Sequence, residues 1–158
     1  MIQRSLRYVL GTLIVLALIL GGGYWYLKRP APEPTLEPLT AADGTVMTRV
    51  IPGKTPRAQV LVAVTEEQKL NDKQLSTLSR SASAQIVQVI LPKECLLQSR
   101  ALQTGLRELK GPATLVSGIG PGAALAWRWL ATQNDDKANA ISVGFALKQE
   151  GCNDPLPK

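Results

Sequence analysis

The chain has 158 residues, of which 45% are hydrophobic and 19% charged, which is enough to bury one hydrophobic core. Its net charge is +6, but the basic residues are scattered and form no run interleaved with aromatics, which argues against a nucleic-acid partner. The chain has no histidine, the commonest metal ligand, and its only two cysteines lie far apart in sequence, which excludes a structural zinc site. We predict neither a metal nor any other cofactor.

The first element along the chain is an uncharged apolar segment at residues 9–27. At about 1.5 Å per residue, a helix of this length crosses a hydrocarbon core of about 30 Å. Basic residues flank it on both sides, and residues 24–26 supply the aromatic belt expected at a membrane interface. The competing interpretation is a cleaved signal peptide, but the apolar run is longer than a usual signal core and no small-residue cleavage site follows it.

Charges on either side of this segment predict its orientation. Arg4, Arg7 and the terminal amine slightly outweigh Lys28 and Arg29, which favours an N-terminus in the cytoplasm. We therefore predict a single-pass protein of the bacterial inner membrane, with residues 1–8 in the cytoplasm and a soluble domain in the periplasm.

A proline-rich stretch follows the predicted anchor. Four of the nine residues from Pro30 to Pro38 are prolines, and this composition favours extended polyproline II geometry. Residues 28–44 are accordingly predicted to form a semi-rigid linker, and residues 45–158 the soluble domain.

Strands and helices are predicted to alternate through the soluble domain. Apolar runs predict strands at Val46–Val50 (on an edge), Gln59–Val64, Gln85–Leu91, Ala113–Ser117 and Ala140–Phe145, and leucine spacing and caps predict helices at Asn71–Ser83 (capped by Asn71), Leu96–Leu109 and Pro121–Thr132. This order predicts the α/β class, with a mostly parallel sheet of four or five strands in a three-layer sandwich.

The most informative segment is the glycine turn between the fourth of these strands and the last helix. It reads Gly118-Ile119-Gly120-Pro121-Gly122, and we treat these five residues as the candidate ligand-binding turn. Its spacing matches the G-x-S-x-G nucleophile elbow of serine hydrolases, but a glycine stands where the serine would be.

Two other interpretations of the turn stay open. Gly118, Gly120 and Ala123 also satisfy the dinucleotide pattern G-x-G-x-x-G/A, although the acidic residue expected after the next strand is missing. Alternatively, a strand-turn-helix junction that packs closely against a neighbour needs small residues whether or not a ligand binds there.

Several segments together resemble the VirJ/AcvB family of bacterial virulence proteins. They are Cys95-Leu96-Leu97 with the leucine-spaced helix that follows, the run LVSGIGPGAALAWRWLA at residues 115–131, and AISVGF at residues 140–145 followed by Cys152. The resemblance covers about residues 59–152. It implies a periplasmic α/β-hydrolase-like fold, truncated in this chain, and an association with type IV secretion or with hydrolysis of lysyl-phosphatidylglycerol.

The departures from the family pattern concern its catalytic residues. Gly120 replaces the elbow serine, and Val64 leads into Thr65-Glu66-Glu67 rather than into a glycine-rich oxyanion loop. The later strands that carry the acid and the histidine of the family's triad have no counterpart in this chain. We therefore expect a pseudoenzyme, because loss of a single triad member already costs several orders of magnitude in rate.

The resemblance also implies a disulfide between Cys95 and Cys152. Such a bridge would close a long loop and contribute about 4 kcal/mol in the chain-entropy model. Two free, buried thiols are the alternative, and they would fit a cytoplasmic domain.

These expectations lead to one functional hypothesis and two rivals. The hypothesis is a membrane-anchored periplasmic protein that binds or scaffolds an envelope protein or an anionic lipid headgroup, with a link to secretion machinery or envelope phospholipid homeostasis. The first rival is a diverged serine-type hydrolase acting on lipid or ester substrates, with displaced groups such as Glu66, Glu67 or Ser117. The second is a dinucleotide-binding domain.

Overall fold

The computed structural model describes residues 32–109, 111–133 and 139–143. Within these ranges no helix is both long enough and apolar enough to cross a membrane, and the predicted anchor at residues 9–27 lies outside them.

Six strands and three helices make up the described part of the chain. The strands are β1 (Thr35–Thr40), β2 (Val46–Ile51), β3 (Ala58–Val64), β4 (Ala84–Ile90), β5 (Leu115–Ile119) and β6 (Asn139–Val143), and the helices are α1 (Asp72–Ala82), α2 (Cys95–Arg107) and α3 (Pro121–Thr132). A short 3₁₀ turn, Glu66–Gln68, lies between β3 and α1.

All six strands belong to one mixed sheet, in the order β1-β2-β4-β3-β5-β6. Strand β2 is antiparallel to both of its neighbours, whereas β4, β3, β5 and β6 are mutually parallel. The α/β class and the mostly parallel sheet are confirmed, but the predicted number of four or five strands is wrong by the additional strand β1.

Strand β1 lies inside the segment that was predicted to be linker. Its Pro38 pairs with Thr48 of β2, and β1 has no neighbour on its other side among the described residues. Proline cannot donate to a strand ladder, so it is tolerated where the strand is an edge. The proline content therefore indicated an edge strand rather than a spacer, and β2, predicted to be the edge, is an interior strand.

The two faces of the sheet carry separate hydrophobic clusters. On one face Leu61 and Ala63 of β3 pack with buried residues of α2 and α3, including Leu102 and Leu125. On the other face Val62 and Val64 pack with Leu75 of α1. This alternation along β3 is the period of two expected for a strand that is covered on both sides.

Helix α1 begins at the predicted cap. The Asn71 side chain accepts a hydrogen bond from the Gln74 amide at 2.9 Å, and the Gln74 side chain accepts one from the Asn71 amide at 2.9 Å. This reciprocal pair is a capping box, and it satisfies two amide donors that the first turn of a helix otherwise leaves unpaired. It fixes where the chain leaves the β3–α1 loop, which lies beside the glycine turn.

Candidate functional site

The candidate site lies at the carboxyl ends of β3 and β5. Strand β3 connects through α1 to β4 on one side of it, and β4 connects through α2 to β5 on the other side, so the direction of strand addition reverses around β3. Open α/β sheets bind ligands at such a switch point, outside the carboxyl ends of the strands. The loop after β3 and the turn after β5 therefore meet where this architecture predicts a crevice.

Gly120 is the centre of the turn and has an unusual backbone conformation. Its φ is 55° and its ψ is −118°, and it is the N-cap of α3. A strained strand-to-helix turn of this kind is what exposes the nucleophile in the G-x-S-x-G elbow. In this chain glycine adopts the conformation at no steric cost, so the shape of an elbow is present without its hydroxyl.

Close packing of the chain on itself requires the glycines on either side. A Cβ at Gly122 would lie 2.0 Å from the carbonyl oxygen of Ala63 in β3, and a Cβ at Gly118 would lie 2.0 Å from the Gly122 main chain. The first turn of α3 thus rests directly on β3. The packing accounts for both flanking glycines of the elbow pattern, of which Gly118 also belongs to the dinucleotide pattern, without a ligand.

Gln68 covers the centre of the elbow. A Cβ added to Gly120 would lie 3.1 Å from Nε2 of Gln68, which comes from the 3₁₀ turn after β3. The Thr65 hydroxyl donates a hydrogen bond to Oε1 of the same side chain at 3.1 Å, and this orients the carboxamide with its nitrogen towards the turn. A donor N–H group therefore lies over the position that a catalytic serine side chain would occupy.

Pro121 removes a second part of a hydrolase site. In an elbow of this type, the backbone N–H of the residue after the nucleophile is one of the two oxyanion donors. That residue here is Pro121, the first residue of α3, and proline has no N–H. Pro121 marks a helix start in the sequence, and its position immediately after Gly120 is also the sequence signal for a missing donor.

The three side chains considered as displaced catalytic groups are not gathered around Gly120. Val116 and Gly118 face α3, so Ser117, between them in β5, faces the opposite side of the sheet. Glu66 and Glu67 are exposed on the 3₁₀ turn, and Glu66 forms an ion pair with Lys69.

Cys95, the α3 tryptophans and the possible metal ligands complete the surroundings of the site. Cys95 is the first residue of α2, just past the carboxyl end of β4, but Cys152 lies outside the described residues, so their disulfide stays a prediction. Of the two tryptophans on α3, Trp129 packs against the core whereas Trp127 is 47% exposed. Among the described residues no cluster of acidic, cysteine or histidine side chains has metal-binding geometry.

A second polar group, which the sequence analysis did not single out, lies at the β1–β2 turn. The Thr104 hydroxyl donates a hydrogen bond to Asp43 at 2.8 Å, the Thr45 amide donates another at 3.0 Å, and Arg100 lies 3.6 Å away. These contacts, the Thr104 bond above all, lower the pKa of Asp43 from 3.8 to about 2. Asp43 and Arg100 line a groove of about 300 Å³, together with Val46, Pro92 and Leu97.

Comparison with known proteins supports a fold rather than a family. No family model matches the chain, and no curated protein matches its sequence. Among solved structures it is similar to the Francisella virulence factor BioJ, with 14% identity and a TM-score of 0.52 over 88% of this chain and 50% of that one. The domain has an α/β-hydrolase-like fold.

Two esterases show weaker likenesses. An arylesterase has 16% identity and a TM-score of 0.47 over 72% of this chain and 44% of its own, and a putative esterase from Staphylococcus aureus has 20% and 0.48 over 70% and 43%. The chain spans about half the length of BioJ and less than half of either esterase, and the finer resemblance to the VirJ/AcvB family stays a prediction.

Proposed function

We propose that this chain is a membrane-anchored, periplasmic binding or scaffolding protein that derives from a hydrolase fold and has lost catalysis. The observation that carries the proposal is the elbow after β5. Its backbone has the turned conformation of a nucleophile elbow, yet its central residue is Gly120 and the next residue is Pro121.

Serine-type catalysis at this turn lacks several of its required groups. Removing the nucleophile of a serine hydrolase costs about 10⁶-fold in kcat. Removing one oxyanion donor costs a further factor of about 10² to 10³ in comparable sites. Gly120 and Pro121 make both changes at adjacent positions, and the chain has no histidine to serve as the base. The turn therefore lacks the nucleophile, one oxyanion donor and the base that serine-type catalysis requires.

The turn retains two features of a ligand-binding site. Gln68 directs an amide donor over Gly120, and the N-terminus of α3 lies beneath it with the positive end of its dipole. Both features favour an acceptor that carries negative charge. An anionic lipid headgroup and a carboxylate of an envelope protein share that chemistry. The resemblance to the VirJ/AcvB family adds a proposed role in secretion or in phospholipid homeostasis.

Catalysis is tested with the purified full chain in detergent. We expect no turnover of short-chain esters or of lysyl-phosphatidylglycerol, either by the wild type or by Gly120→Ser, because the serine variant still lacks a base and an oxyanion donor. Wild-type turnover that a single substitution such as Ser117→Ala or Glu66→Gln abolishes would instead support the diverged hydrolase.

Binding at the turn is tested with a matched pair of substitutions. Gln68→Glu replaces the donor over Gly120 by an anion, whereas Gln103→Glu makes the same change on an exposed position of α2. In photo-crosslinking from intact cells, we expect a partner or lipid adduct that is lost in Gln68→Glu and retained in Gln103→Glu. Adducts that respond equally to both variants would refute a ligand at the elbow.

The compartment is tested through the two cysteines. If the domain is exported and Cys95 and Cys152 are paired, both thiols will resist alkylation in unreduced, denatured protein until a reductant is added. Free reaction of both without reductant would place the domain in the cytoplasm. A nucleotide at Gly118–Gly122 would then become the leading ligand.

A further inference from the structure

The chain enters the sheet at the strand ends opposite to the glycine turn. Strand β1 pairs Thr35 with Ile51 at its start and Thr40 with Val46 at its end, so it begins at the amino ends of the parallel strands, which we call the amino edge. The elbow lies at the carboxyl ends of these strands, which we call the carboxyl edge. With seven residues in β3 and about 3.3 Å per residue, the two edges are about 20 Å apart.

Only a short stretch separates this entry point from the predicted anchor. Pro32 is packed against the β2–β3 loop, because a Cβ at Gly53 would lie 2.6 Å from both Cβ and the carbonyl oxygen of Pro32. Residues 28–31 are all that remains between Pro32 and the end of the apolar segment at Leu27. Even fully extended, they reach only about 18 Å. The amino edge is therefore confined near the membrane surface if the anchor is inserted.

The same edge carries exposed positive charge. Lys54 and Arg57 lie in the loop that Pro32 contacts, and Arg80 lies in the last turn of α1. A hydrogen bond of 2.8 Å from the Arg57 amide to the carbonyl oxygen of Ser83 joins this loop to the end of α1. We call Lys54, Arg57 and Arg80 the amino-edge basic patch.

The acidic groups described near this patch do not neutralise its positive charge. Glu33 lies 4.0 Å from Arg80, but both side chains are largely exposed, so their pairing is weak. Glu108, at the end of α2, is already paired with Arg49. Among the described residues, three exposed cations thus stand beside one solvated carboxylate at the point where the tether enters.

We propose that the amino-edge basic patch docks the domain on anionic phospholipid headgroups of the membrane that anchors the chain. The proposal rests on the anchor that forms part of the proposed function. The short tether holds the patch close to the surface, and each basic side chain near an anionic surface strengthens binding about fivefold. The domain then stands with its carboxyl edge, and the Gly118–Gly122 turn, directed away from that membrane.

This orientation limits which ligands can reach the elbow. A turn held about 20 Å above the headgroups, the length of β3, is out of contact with the lipids of its own membrane. It is open to an envelope protein that approaches from the aqueous side. Docking therefore favours a partner's carboxylate over a headgroup as the group that Gln68 meets.

The test uses the full chain in lipid nanodiscs and measures how fast each lysine is acetylated, by mass spectrometry. Lys54 reports on the amino edge, whereas Lys73 and Lys93, near the carboxyl edge, are internal controls. We expect the Lys54 rate to fall about fivefold or more in phosphatidylglycerol-containing discs relative to pure phosphatidylcholine discs. The Lys73 and Lys93 rates should not change. Protection of Lys54 should disappear at about 1 M salt, where the screening length is about 3 Å.

A charge-matched pair of variants distinguishes binding through the patch from nonspecific electrostatic attraction of the domain to the membrane. The patch variant carries Arg57→Glu and Arg80→Glu and keeps Lys54 as the reporter, and the control variant carries Lys69→Glu and Lys73→Glu near the other edge. The patch variant should lose Lys54 protection, and the control should retain it.

Two outcomes would overturn the docking proposal. One is a Lys54 rate that is the same in both disc types, and the other is equal protection of Lys54 and Lys93, which would indicate adsorption without a preferred edge. Resistance to alkaline carbonate extraction tests the anchor by itself. A chain that resists extraction but shows no Lys54 protection would refute docking and leave the proposed function intact.

Discussion

Replacing Gly122 by alanine tests the packing on which the elbow depends. The added methyl group would lie 2.0 Å from the Ala63 carbonyl oxygen, whereas ordinary contact begins at 3.4 Å. Helix α3 and strand β3 must therefore separate by about 1.4 Å. Neither element yields easily, because Ala63 is fully buried in a strand with hydrogen-bonded neighbours on both sides.

The expected cost follows from two opposing effects. Overpacking of this kind costs about 3 kcal/mol when backbone has to move. The better helix propensity of alanine at the start of α3 offsets at most about 1 kcal/mol of this cost. We expect Gly122→Ala to lower the free energy of unfolding by about 2 kcal/mol, measured by urea denaturation of the full chain in detergent and followed by tryptophan fluorescence.

Gly44→Ala is the matched control. Gly44 has a φ of +82° and no atom within 4 Å of an added Cβ, so the substitution should cost only the backbone strain, about 1 kcal/mol. If Gly122→Ala costs no more than Gly44→Ala, α3 does not rest on β3. The elbow geometry described above would then be wrong.

Three further substitutions probe the surroundings of the site. Asn71→Ala removes the cap of α1 and should cost about 1 kcal/mol in urea denaturation, whereas Asn71→Ser should cost less. Gln88→Ala removes a buried side chain that bonds both the amide and the carbonyl of Leu70, so it should cost about 2 kcal/mol and raise amide hydrogen exchange in the β3–α1 loop. For Asp43→Asn, thermal melts should show a wild-type advantage above about pH 4 that shrinks as the pH falls to about 2, because the carboxylate has a pKa of 3.8 when unfolded and about 2 when folded. A gap that stays constant over that interval would contradict the depressed pKa of Asp43.

Local patterns were sufficient to predict most of the sheet and the helices. Helix α3 spans Pro121–Thr132 as predicted, because proline in the first turn and a small-residue turn before it mark a helix start without reference to the rest of the fold. Asn71 was likewise identified as a cap from its own neighbourhood. Strand β5 extends two residues further than predicted, to Ile119, because the two glycines at the turn obscure where its pairing with β3 and β6 ends.

What could not be predicted depends on contacts between distant segments. Strand β1 is held by its pairing with β2, and a proline-rich stretch carries no local sign of that partner. The position of Gln68 over Gly120 requires β3 and β5 to be neighbours, although the fifty residues between these strands form β4 and the helices α1 and α2. The type of turn was predictable, but the side chain that meets it was not.

Strand β1 gives the domain a mechanical property. Any load that reaches the domain through residues before Pro32 acts at the start of β1, which pairs with β2 over all six of its residues. A load directed along the strand axis is borne by all these pairs together, so β1 resists it in shear. A load directed across the axis opens the pairs one after another from Thr35, while β3, β4 and β5 remain paired with one another. The β1–β2 hairpin therefore lies between the tether and the parallel strands that support the turn.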